Sequence, residues 1–207
     1  MRHRSLIALL ALSVPLGGIV APCLAQDSYQ KEADRLAVLL NWQPGAVVAD
    51  IGAGEGQMTL AAAEHVGPTG HVYSTELDTK KLAHLEELAE KEKNITAIKA
   101  AEADTNLPQE CCDSIFMRLV YHHLTKPAEI DASLLQSLKP GGLLAVIDEE
   151  PASGSSKVEG VPENRRGHGM PQKILIKELT SAGFEVQKAY DDWPDNNYCV
   201  VFHKPGP

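Results

Sequence analysis

The sequence predicts a single-domain α/β fold, in which helices cover both faces of a doubly wound sheet of seven strands. Short apolar runs rich in β-branched residues alternate along the chain with longer segments of helical periodicity, an order typical of parallel strands joined by helices. A glycine-rich turn directly follows the first of these runs. The last two runs lie close together in the sequence, so we expect a hairpin that makes the last strand antiparallel.

The chain has 207 residues, a length that suits one domain with a large core. Its formal net charge is −9, with 19 lysine and arginine residues against 28 acidic residues. No basic run occurs beyond the N-terminus, so the sequence lacks the phosphate-neutralising surface that nucleic-acid binding requires. We therefore expect no nucleic-acid partner, and the sequence indicates no particular oligomeric state.

Residues 1–25 have the organisation of a secretory signal peptide. A basic start precedes a largely apolar stretch, and Cys23 and Ala25 offer small side chains at the positions that precede a cut before Gln26. A membrane anchor is the alternative, but the apolar stretch is shorter than the roughly 20 residues of a spanning helix and contains proline and glycine. We expect an exported, periplasmic protein, residues 26–207, with no stable membrane span after removal of the signal.

Three cysteines remain beyond that segment, namely Cys111, Cys112 and Cys199. The adjacent pair lacks the spacing of metal ligands, and neighbouring cysteines bridge to each other only with strain, so we interpret both as loop or strand-edge residues. A disulfide between one of them and Cys199 in an oxidising compartment is the alternative.

The mature chain opens with an amphipathic helix over residues 27–42, which we expect to pack against the sheet edge or over a ligand. The first strand, residues 46–49, runs into Asp50 and a turn with glycines at alternate positions, which are Gly52, Gly54 and Gly56. The next helix, Gln57–Val66, should point its free N–H groups back at this turn. The turn is therefore suited to bind an anion.

The spacing of these glycines separates two classes of cofactor. The dinucleotide fingerprint G-x-G-x-x-G would require its third glycine at Gln57, which argues against a nicotinamide dehydrogenase. The pattern Asp-x-Gly-x-Gly-x-Gly instead resembles the first motif of the class I methyltransferases, which have a Rossmann-like fold and use S-adenosylmethionine. The resemblance implies that Gly52, Ala53 and Gly54 hold the methionine end of this cofactor and that Asp50 helps to position its amino group.

The second strand, residues 70–75, delivers Glu76 to its carboxyl end. Glu76 lies about 20 residues beyond Gly56, where a doubly wound fold places the acid that accepts hydrogen bonds from two ribose hydroxyls. In the resembled family the apolar residue after this acid lies beside the adenine, and here that residue is Leu77.

A helix capped by Asp78 leads to the third strand, residues 95–100. The next segment contains Glu102, Ala103 and Asp104, and it stands where the resembled family binds adenine through one carboxylate and one backbone N–H. Either acid could supply the carboxylate. We favour Asp104, with Ala103 beside it, and the alternative is that each acid is an ordinary loop residue.

The fourth strand, residues 113–120, ends in Tyr121, His122 and His123. In class I methyltransferases this strand end faces the transferred methyl group, so the resemblance makes these three side chains the candidate catalytic or substrate-binding residues. A histidine with an ordinary pKa near 6.5 can remove a proton from an acceptor at neutral pH. The alternative is that a histidine caps the following helix or satisfies a buried backbone group.

The segment M-R-L-V-Y-H-H-L around these residues also resembles a subgroup of exported, uncharacterised bacterial methyltransferases. It lacks the Asn/Asp-Pro-Pro-aromatic motif of enzymes that methylate amide or exocyclic nitrogens in nucleic acid or protein. The resemblance therefore favours a small-molecule acceptor.

A helix over residues 127–138 and a Lys-Pro-Gly-Gly turn precede the fifth strand, residues 143–147. Asp148 and Glu149 follow that strand at the same sheet edge as His122, as acid/base or metal-binding candidates. Two histidines and two acids this far apart have no fixed ligand spacing to test, so we predict no metal site.

Residues 151–170 are poor in apolar side chains and predict a loop over the carboxyl edge of the sheet. His168 in this loop either reaches the site or remains an exposed loop residue. A last helix over residues 171–182 leads to a hairpin made of residues 184–190 and Tyr198–His203.

The function that the resemblance implies is transfer of a methyl group from S-adenosylmethionine to a small-molecule acceptor. A different class of function is a non-catalytic exported module that uses the same fold to bind a metabolite or a partner. The signal peptide is the reason to consider this alternative, because S-adenosylmethionine is made in the cytosol and an exported protein leaves that compartment. The presence of Asp50, Gly52, Gly54 and Glu76 together argues for an intact cofactor site.

Overall fold

The computed structural model describes residues 20–206 except for 155, 157, 166 and 167, and it describes side chains from residue 28 onward. Most of the predicted signal segment, residues 1–19, lies outside the described residues. The cut predicted before Gln26 falls within the first described helix. Within the described part of the chain, no helix combines the length and the apolar character needed to cross a membrane.

Seven strands form one sheet, and five α-helices occur in the described part of the chain. The strands are β1 (Val47–Ile51), β2 (His71–Glu76), β3 (Ile95–Lys99), β4 (Cys112–Arg118), β5 (Leu138–Asp148), β6 (Glu185–Tyr190) and β7 (Tyr198–His203). The helices are α1 (Val20–Leu39), α2 (Gln57–Val66), α3 (Thr79–Lys91), α4 (Pro127–Ser137) and α5 (Gln172–Ser181).

The strands lie in the order β3-β2-β1-β4-β5-β7-β6. Strands β1 to β5 pair in parallel, and β7 is antiparallel to both of its neighbours. This arrangement confirms the predicted doubly wound α/β fold with an antiparallel last strand. The chain order reverses between β1 and β4, and ligands of such sheets bind beside this point, outside the carboxyl ends of the strands.

The sheet separates two hydrophobic cores, because successive strand residues point to opposite faces. Val48 and Phe116 pack with α1 and α2 on one face. Ala49 and Ile115 pack with α4 and α5 on the other. Both cores are built from apolar side chains that are fully buried, so the strand ends of β1 and β4 are held rigidly from both sides.

Strand β5 is longer than the sequence predicts. It begins at Leu138, directly after α4, where the Lys-Pro-Gly-Gly composition predicts a turn. Cys112 pairs with Leu138, but the register shifts before Ser114 pairs with Leu143. The glycine-containing segment is therefore an irregularity inside the strand, which keeps its hydrogen bonds on either side of the shift.

The adjacent cysteines lie at the edge of a strand, as predicted, whereas the bonding of the cysteines differs from both sequence-based interpretations. Cys111 and Cys112 are joined to each other as a disulfide at the start of β4. Cys199 is a free, buried cysteine in β7, so its predicted alternative pairing with the adjacent cysteines is wrong. Burial raises the pKa of the Cys199 thiol far above its ordinary value, which keeps this side chain an unreactive part of the core.

Candidate active site

A cavity of about 420 Å³ opens at the carboxyl ends of β1, β2 and β4, beside the reversal of strand order. This volume lies in the range of about 300–1,000 Å³ that is typical of small-molecule sites. The cavity brings together side chains that the sequence separates widely, among them Gly52, Glu76, Leu77, Glu102, Arg118 and His123.

The glycine turn after β1 has the backbone geometry that only glycine adopts readily. Gly52, Gly54 and Gly56 have φ values of 68°, 58° and 80°. A Cβ on Gly52 would lie 2.7 Å from Cγ2 of Val120, and one on Gly56 would lie 2.6 Å from Cδ1 of Leu88. A Cβ on Gly54 would meet no atom within 4 Å. Packing therefore fixes the two outer glycines, whereas the middle glycine faces open space that a ligand can fill.

Glu76 links β2 to this turn through its carboxylate. Its Oε2 accepts a hydrogen bond of 2.9 Å from the backbone N–H of Gly54, and its Oε1 accepts bonds from the N–H groups of Leu77 and Asp78. The side chain is buried, yet it lies on the cavity wall. The carboxylate is thus fixed at the end of β2, and one lone-pair site, on Oε2, is available to a further donor.

Asp50 lies behind the glycine turn and does not line the cavity. Its Oδ2 accepts a hydrogen bond of 2.7 Å from Oγ1 of Thr59, which also contacts Oγ of Ser74 at 3.0 Å. Burial raises the pKa of the Asp50 carboxyl to about 7, and the negative charge of Glu76 acts in the same direction. Asp50 therefore supports the turn from inside the domain.

The segment after β3 presents Glu102 to the cavity, whereas Asp104 does not line it. Oδ1 of Asp104 accepts hydrogen bonds from the N–H of Asn106 and from Oγ of Ser133, which directs this carboxylate toward α4. Ala103 is also absent from the wall. Our preference for Asp104 over Glu102 therefore disagrees with the position of the two side chains. The turn between them decides which acid faces inward, and its path is not encoded in the residue types.

The cavity also contains a cation that sequence reasoning missed. Arg118, the last residue of β4, lies on the wall, and its Nε donates a hydrogen bond of 2.7 Å to Glu32 of α1. The other carboxylate oxygen of the buried Glu32 accepts a bond of 2.6 Å from Nε1 of Trp193. This bridge holds α1 beside the strand ends, in agreement with the prediction that the first helix packs near the site. The sequence signal was an arginine directly after the apolar run 115–117, at the carboxyl end of the strand.

Tyr121 does not reach the cavity, although the sequence makes it a catalytic candidate. Its hydroxyl group lies 2.9 and 3.0 Å from the carboxylate oxygens of Asp131 and 3.2 Å from Oε2 of Glu178. The guanidinium group of Arg165 lies 5.2 Å from the centre of the Tyr121 ring and 3.1 Å from Glu178. A short 3₁₀ turn, Tyr121–His123, follows β4 and points consecutive side chains in different directions. Tyr121 therefore belongs to a buried polar network beneath α4 and α5.

His122 is buried at the end of the same strand and is paired with Asp148. Its ring Nδ1 lies 2.8 Å from Oδ1 of Asp148, and its backbone N–H donates to Oδ2 at 3.1 Å. The side chain is 1% exposed, and within the described part of the chain its Nε2 has no hydrogen-bond partner. Because a carboxylate accepts hydrogen bonds, it selects the tautomer that carries the proton on Nδ1 and leaves the lone pair on Nε2.

His123 and His168 lie against His122. The ring centres of His122 and His123 are 4.1 Å apart, and those of His122 and His168 are 4.4 Å apart. Nδ1 of His168 lies 3.1 Å from Oε1 of Glu149. Burial, together with the two neighbouring rings, lowers the pKa of His123. The loop after β5 therefore places His168, which is an exposed residue, against the rings of His122 and His123.

The known proteins that this chain resembles agree with the geometry. Residues 49–146, from β1 to β5, match a family model described as a methyltransferase domain. This chain contains a class I methyltransferase domain. The cofactor of the domain is S-adenosylmethionine.

Individual relatives match at moderate identity. A sterol methyltransferase-like 3 from Botryococcus braunii is 27% identical over 176 residues, which cover 76% of this chain and 43% of that protein. A protein-L-isoaspartate O-methyltransferase from Aeropyrum pernix is 29% identical over 168 residues, which cover 77% of this chain and 62% of that protein. The chain thus spans roughly half the length of these curated relatives.

The fold of the methyltransferase domain is also that of solved structures. A crystal structure of a SAM dependent methyltransferase from Aquifex aeolicus aligns with a TM-score of 0.70 at 23% identity. The alignment covers 83% of this chain and 89% of the other. At this level of identity the agreement concerns the fold.

Proposed function

We propose that this protein is an exported enzyme that transfers the methyl group of S-adenosylmethionine to a small-molecule acceptor. The proposal rests on one observation. Gly52 of the glycine turn, Glu76 and His123 line the same cavity at the carboxyl edge of the sheet. The first two are suited to the cofactor, and the third stands where an acceptor would approach.

The proposed cofactor pose follows the cavity wall. The methionine moiety lies over Gly52, Ala53 and Gly54, where the positive end of α2 favours its carboxylate. The backbone N–H groups of these three residues are themselves bonded to Thr75 and Glu76, so they shape the turn rather than bind the ligand. Arg118 adds a positive charge on the same wall, and Asp50 acts from behind the turn on the amino group.

The nucleoside end of the cofactor lies toward β2 and β3 in this pose. Glu76 accepts a hydrogen bond from a ribose hydroxyl at the open site on Oε2, and Leu77, which is 52% exposed, covers one face of the adenine. Glu102 is the better placed carboxylate for the exocyclic amine, because Asp104 is directed toward Ser133. For Ala103 we propose a contact between its backbone N–H and the adenine, beside Glu102 on the cavity wall.

The chemical step is an in-line substitution at the methyl carbon. A lone pair of the acceptor atom forms the new bond to carbon, the carbon–sulfur bond breaks, and its electron pair returns to sulfur. The products are the methylated acceptor and S-adenosylhomocysteine. Because the sulfonium is already electrophilic, most of the rate should come from alignment of donor and acceptor, an effect that can reach about 7–11 kcal/mol.

His122 and His123 are the proposed catalytic residues at the acceptor end. His123 lies on the cavity wall, and its lowered pKa keeps it neutral at pH 7, so it can take a proton from an acceptor hydroxyl, thiol or amine. His122 offers a second lone pair, at Nε2, which Asp148 holds in place. Tyr121 is not part of this proposal, because its hydroxyl is engaged in the network under α4.

A small molecule is the proposed acceptor class for two reasons. The chain has a net charge of −9 and no basic run beyond its N-terminus, which disfavours nucleic acid. The alignment with the sterol methyltransferase-like relative covers most of this chain, and the name of that protein refers to a small molecule. The isoaspartate relative has a protein acceptor by name, so a peptide is the comparison substrate in any assay.

Calorimetric titration of the chain from Gln26 onward with S-adenosylmethionine tests the cofactor site. We expect saturable binding in the micromolar range, which Glu76→Ala abolishes and which Glu86→Ala, an exposed change on α3, leaves intact. Saturable binding that Glu76→Ala does not weaken would contradict the proposed pose. The absence of heat at any concentration would instead favour the exported binding module.

The acceptor end is tested by the release of S-adenosylhomocysteine from mixtures of small-molecule acceptors. His122→Ala and His123→Ala should both retain cofactor binding, and at least one should lose turnover. Unchanged turnover in both variants would remove these histidines from the mechanism. Saturable cofactor binding without any product, across hydroxyl, thiol, amine and peptide acceptors, would favour the non-catalytic module.

A further inference from the structure

We propose that His122, His123 and His168 bind a divalent transition-metal ion at the acceptor end of the cavity. Within the described part of the chain, these three residues are the ones whose potential ligand atoms lie close enough together to hold a metal ion. One ring nitrogen of each lies within 4.8 Å of one ring nitrogen of each other. The sequence shows no ligand spacing that predicts such a site, because two of the ligands are adjacent and the third lies in the loop after β5.

The distances suit an ion that draws the rings together. A tetrahedral zinc ion with Zn–N bonds of about 2.0–2.1 Å sets its nitrogen ligands about 3.4 Å apart. The three nitrogens would therefore close by no more than roughly 1.4 Å on binding. His123 and His168 are exposed side chains, so they can make this movement by rotation while His122 stays in place.

The buried nitrogen of His122 is the second, independent observation. Its Nε2 has no hydrogen-bond partner in the described part of the chain, although the side chain is 1% exposed. A buried polar atom without a partner is costly, so native proteins rarely retain one without a function. A metal ion bonded to Nε2 satisfies this atom, and the rings of His123 and His168 lie beside it, with centres 4.1 and 4.4 Å from that of His122.

Two carboxylates contact the Nδ1 atoms of two of these histidines. Asp148 binds Nδ1 of His122, and Glu149 lies beside Nδ1 of His168. A carboxylate on the far nitrogen fixes the tautomer and the orientation of a metal-bound histidine and strengthens it as a ligand. The two negative charges also balance a divalent cation. Asp148 and Glu149 are adjacent at the end of β5, so one strand positions both supports.

The ligand set determines the class of ion. Three imidazoles suit Zn²⁺, Cu²⁺, Ni²⁺ or Co²⁺, whereas Mg²⁺ and Ca²⁺ prefer oxygen ligands. Three protein ligands leave a tetrahedral ion with one position for water or substrate, which is the pattern of catalytic rather than structural zinc sites.

The open position connects the metal site to the acceptor, and this part rests on the proposed function. His123 lines the cavity, so an acceptor with a hydroxyl or thiol group can reach the ion. Coordination lowers the pKa of such a group, and its proton leaves to solvent. The lone pair that remains attacks the methyl carbon. The histidines then act as ligands, and the ion takes over the activation that a histidine base would supply to a metal-free enzyme.

Metal titration of tag-free protein that has been treated with a chelator tests the site directly. We expect one equivalent of Zn²⁺ to bind, and Co²⁺ to give the visible absorption of a tetrahedral nitrogen site. His123→Ala and His168→Ala should each weaken Zn²⁺ binding about tenfold or more. Loss of a residue that only orients a metal ligand already weakens metal binding by about 10-fold to 100-fold, and these variants remove a ligand itself. Both positions are exposed, so these variants should fold. His84→Ala, an exposed change on α3, is the matched control and should bind as the unaltered chain does.

Two results would overturn the metal site. One is the absence of Zn²⁺, Co²⁺, Ni²⁺ and Cu²⁺ binding at millimolar concentration. The other is binding that His123→Ala and His168→Ala leave as tight as in the unaltered chain. Titration of the metal-free protein with S-adenosylmethionine separates this proposal from the previous one. Metal binding without cofactor binding would support the metal site and contradict the proposed methyltransferase function. Cofactor binding without metal binding would support the methyltransferase function and contradict the metal site.

Discussion

Asp148 holds His122 by two hydrogen bonds, one to the ring Nδ1 at 2.8 Å and one from the backbone N–H at 3.1 Å. Both residues are buried, and they come from the ends of adjacent strands, β4 and β5. The pair therefore fixes the direction of a side chain and the path of the backbone that carries it. Any chemistry at Nε2 of His122 depends on this contact.

Asp148→Asn should destabilise the protein and disturb His122. Asparagine can keep one acceptor oxygen, but its amide group places a donor where a second acceptor stood, so one buried N–H loses its partner. We expect a loss of about 1–3 kcal/mol in the free energy of unfolding, measured by urea denaturation. Glu86→Gln, an exposed acid-to-amide change, is the control. Equal free energies of unfolding for the two variants would show that the contact between Asp148 and His122 contributes little to stability.

Gly54→Ala and Gly56→Ala should separate binding from stability. Alanine at residue 54 has space for its Cβ in the cofactor-free protein, so the cost should be the strain of its positive φ, about 1–2 kcal/mol. The same methyl group occupies the space in which we place the cofactor and should weaken S-adenosylmethionine binding at least about tenfold, or by about 1.4 kcal/mol.

Gly56→Ala should behave in the opposite way. Its Cβ would collide with Leu85 and Leu88 of α3, so we expect a loss of about 2–4 kcal/mol in stability. Denaturation curves and calorimetry on both variants provide the check. A Gly54→Ala protein that binds the cofactor normally would mean that the ligand does not pass over the middle glycine.

Tyr121→Phe should cost stability without affecting the cofactor. The change removes the hydroxyl group that contacts the carboxylate of Asp131, whose pKa burial raises to about 7, and leaves that group with one donor fewer. We expect a loss of about 1–3 kcal/mol by denaturation and unchanged S-adenosylmethionine affinity. Tyr73→Phe on β2 serves as the matched control. A marked loss of cofactor affinity in Tyr121→Phe would place the residue nearer to the cavity than the structure does.

The stability of the cofactor-free protein should depend on pH through Asp50. The pKa of this carboxyl is about 7 in the folded protein and near 3.8 when unperturbed, so the unfolded chain loses the proton first as pH rises. The stabilisation is complete below pH 3.8, declines as pH rises from there, and is lost above about pH 7.

Asp50→Asn removes this titration and keeps an acceptor for Thr59. The free energy of unfolding of the variant, relative to that of the unaltered chain, should therefore shift in favour of the variant by several kcal/mol between pH 4 and pH 8. Urea denaturation across this range measures the shift. A constant difference between the two proteins would mean that Asp50 is ionised throughout the range.

The elements of the fold were predictable where periodicity is strong. The buried strands β1, β2 and β4 are short apolar runs bounded by polar residues, and the helices between them carry clear apolar stripes. The beginning of β5 was not predictable, because Lys139, Pro140 and two glycines have the composition of a turn, and only the pairing of Cys112 with Leu138 makes the segment part of a strand.

The site was predictable at strand ends and not in the turns beyond them. Glu76 directly ends its strand, so its position follows from the sheet. Tyr121 and His122 are adjacent in a 3₁₀ turn, and the turn, rather than the residue types, directs one into the core under α4 and the other toward His168. The choice between Glu102 and Asp104 depends on loop geometry in the same way.

The hydrogen bond from the N–H of Gly54 to Glu76 means that the cofactor-free turn is already closed onto β2. A loop of alternating glycines would otherwise lose much conformational entropy when a ligand orders it. Here folding has already ordered it. Stopped-flow traces of cofactor binding should therefore show a single phase whose rate rises linearly with cofactor concentration, without the plateau that a slow loop closure would impose.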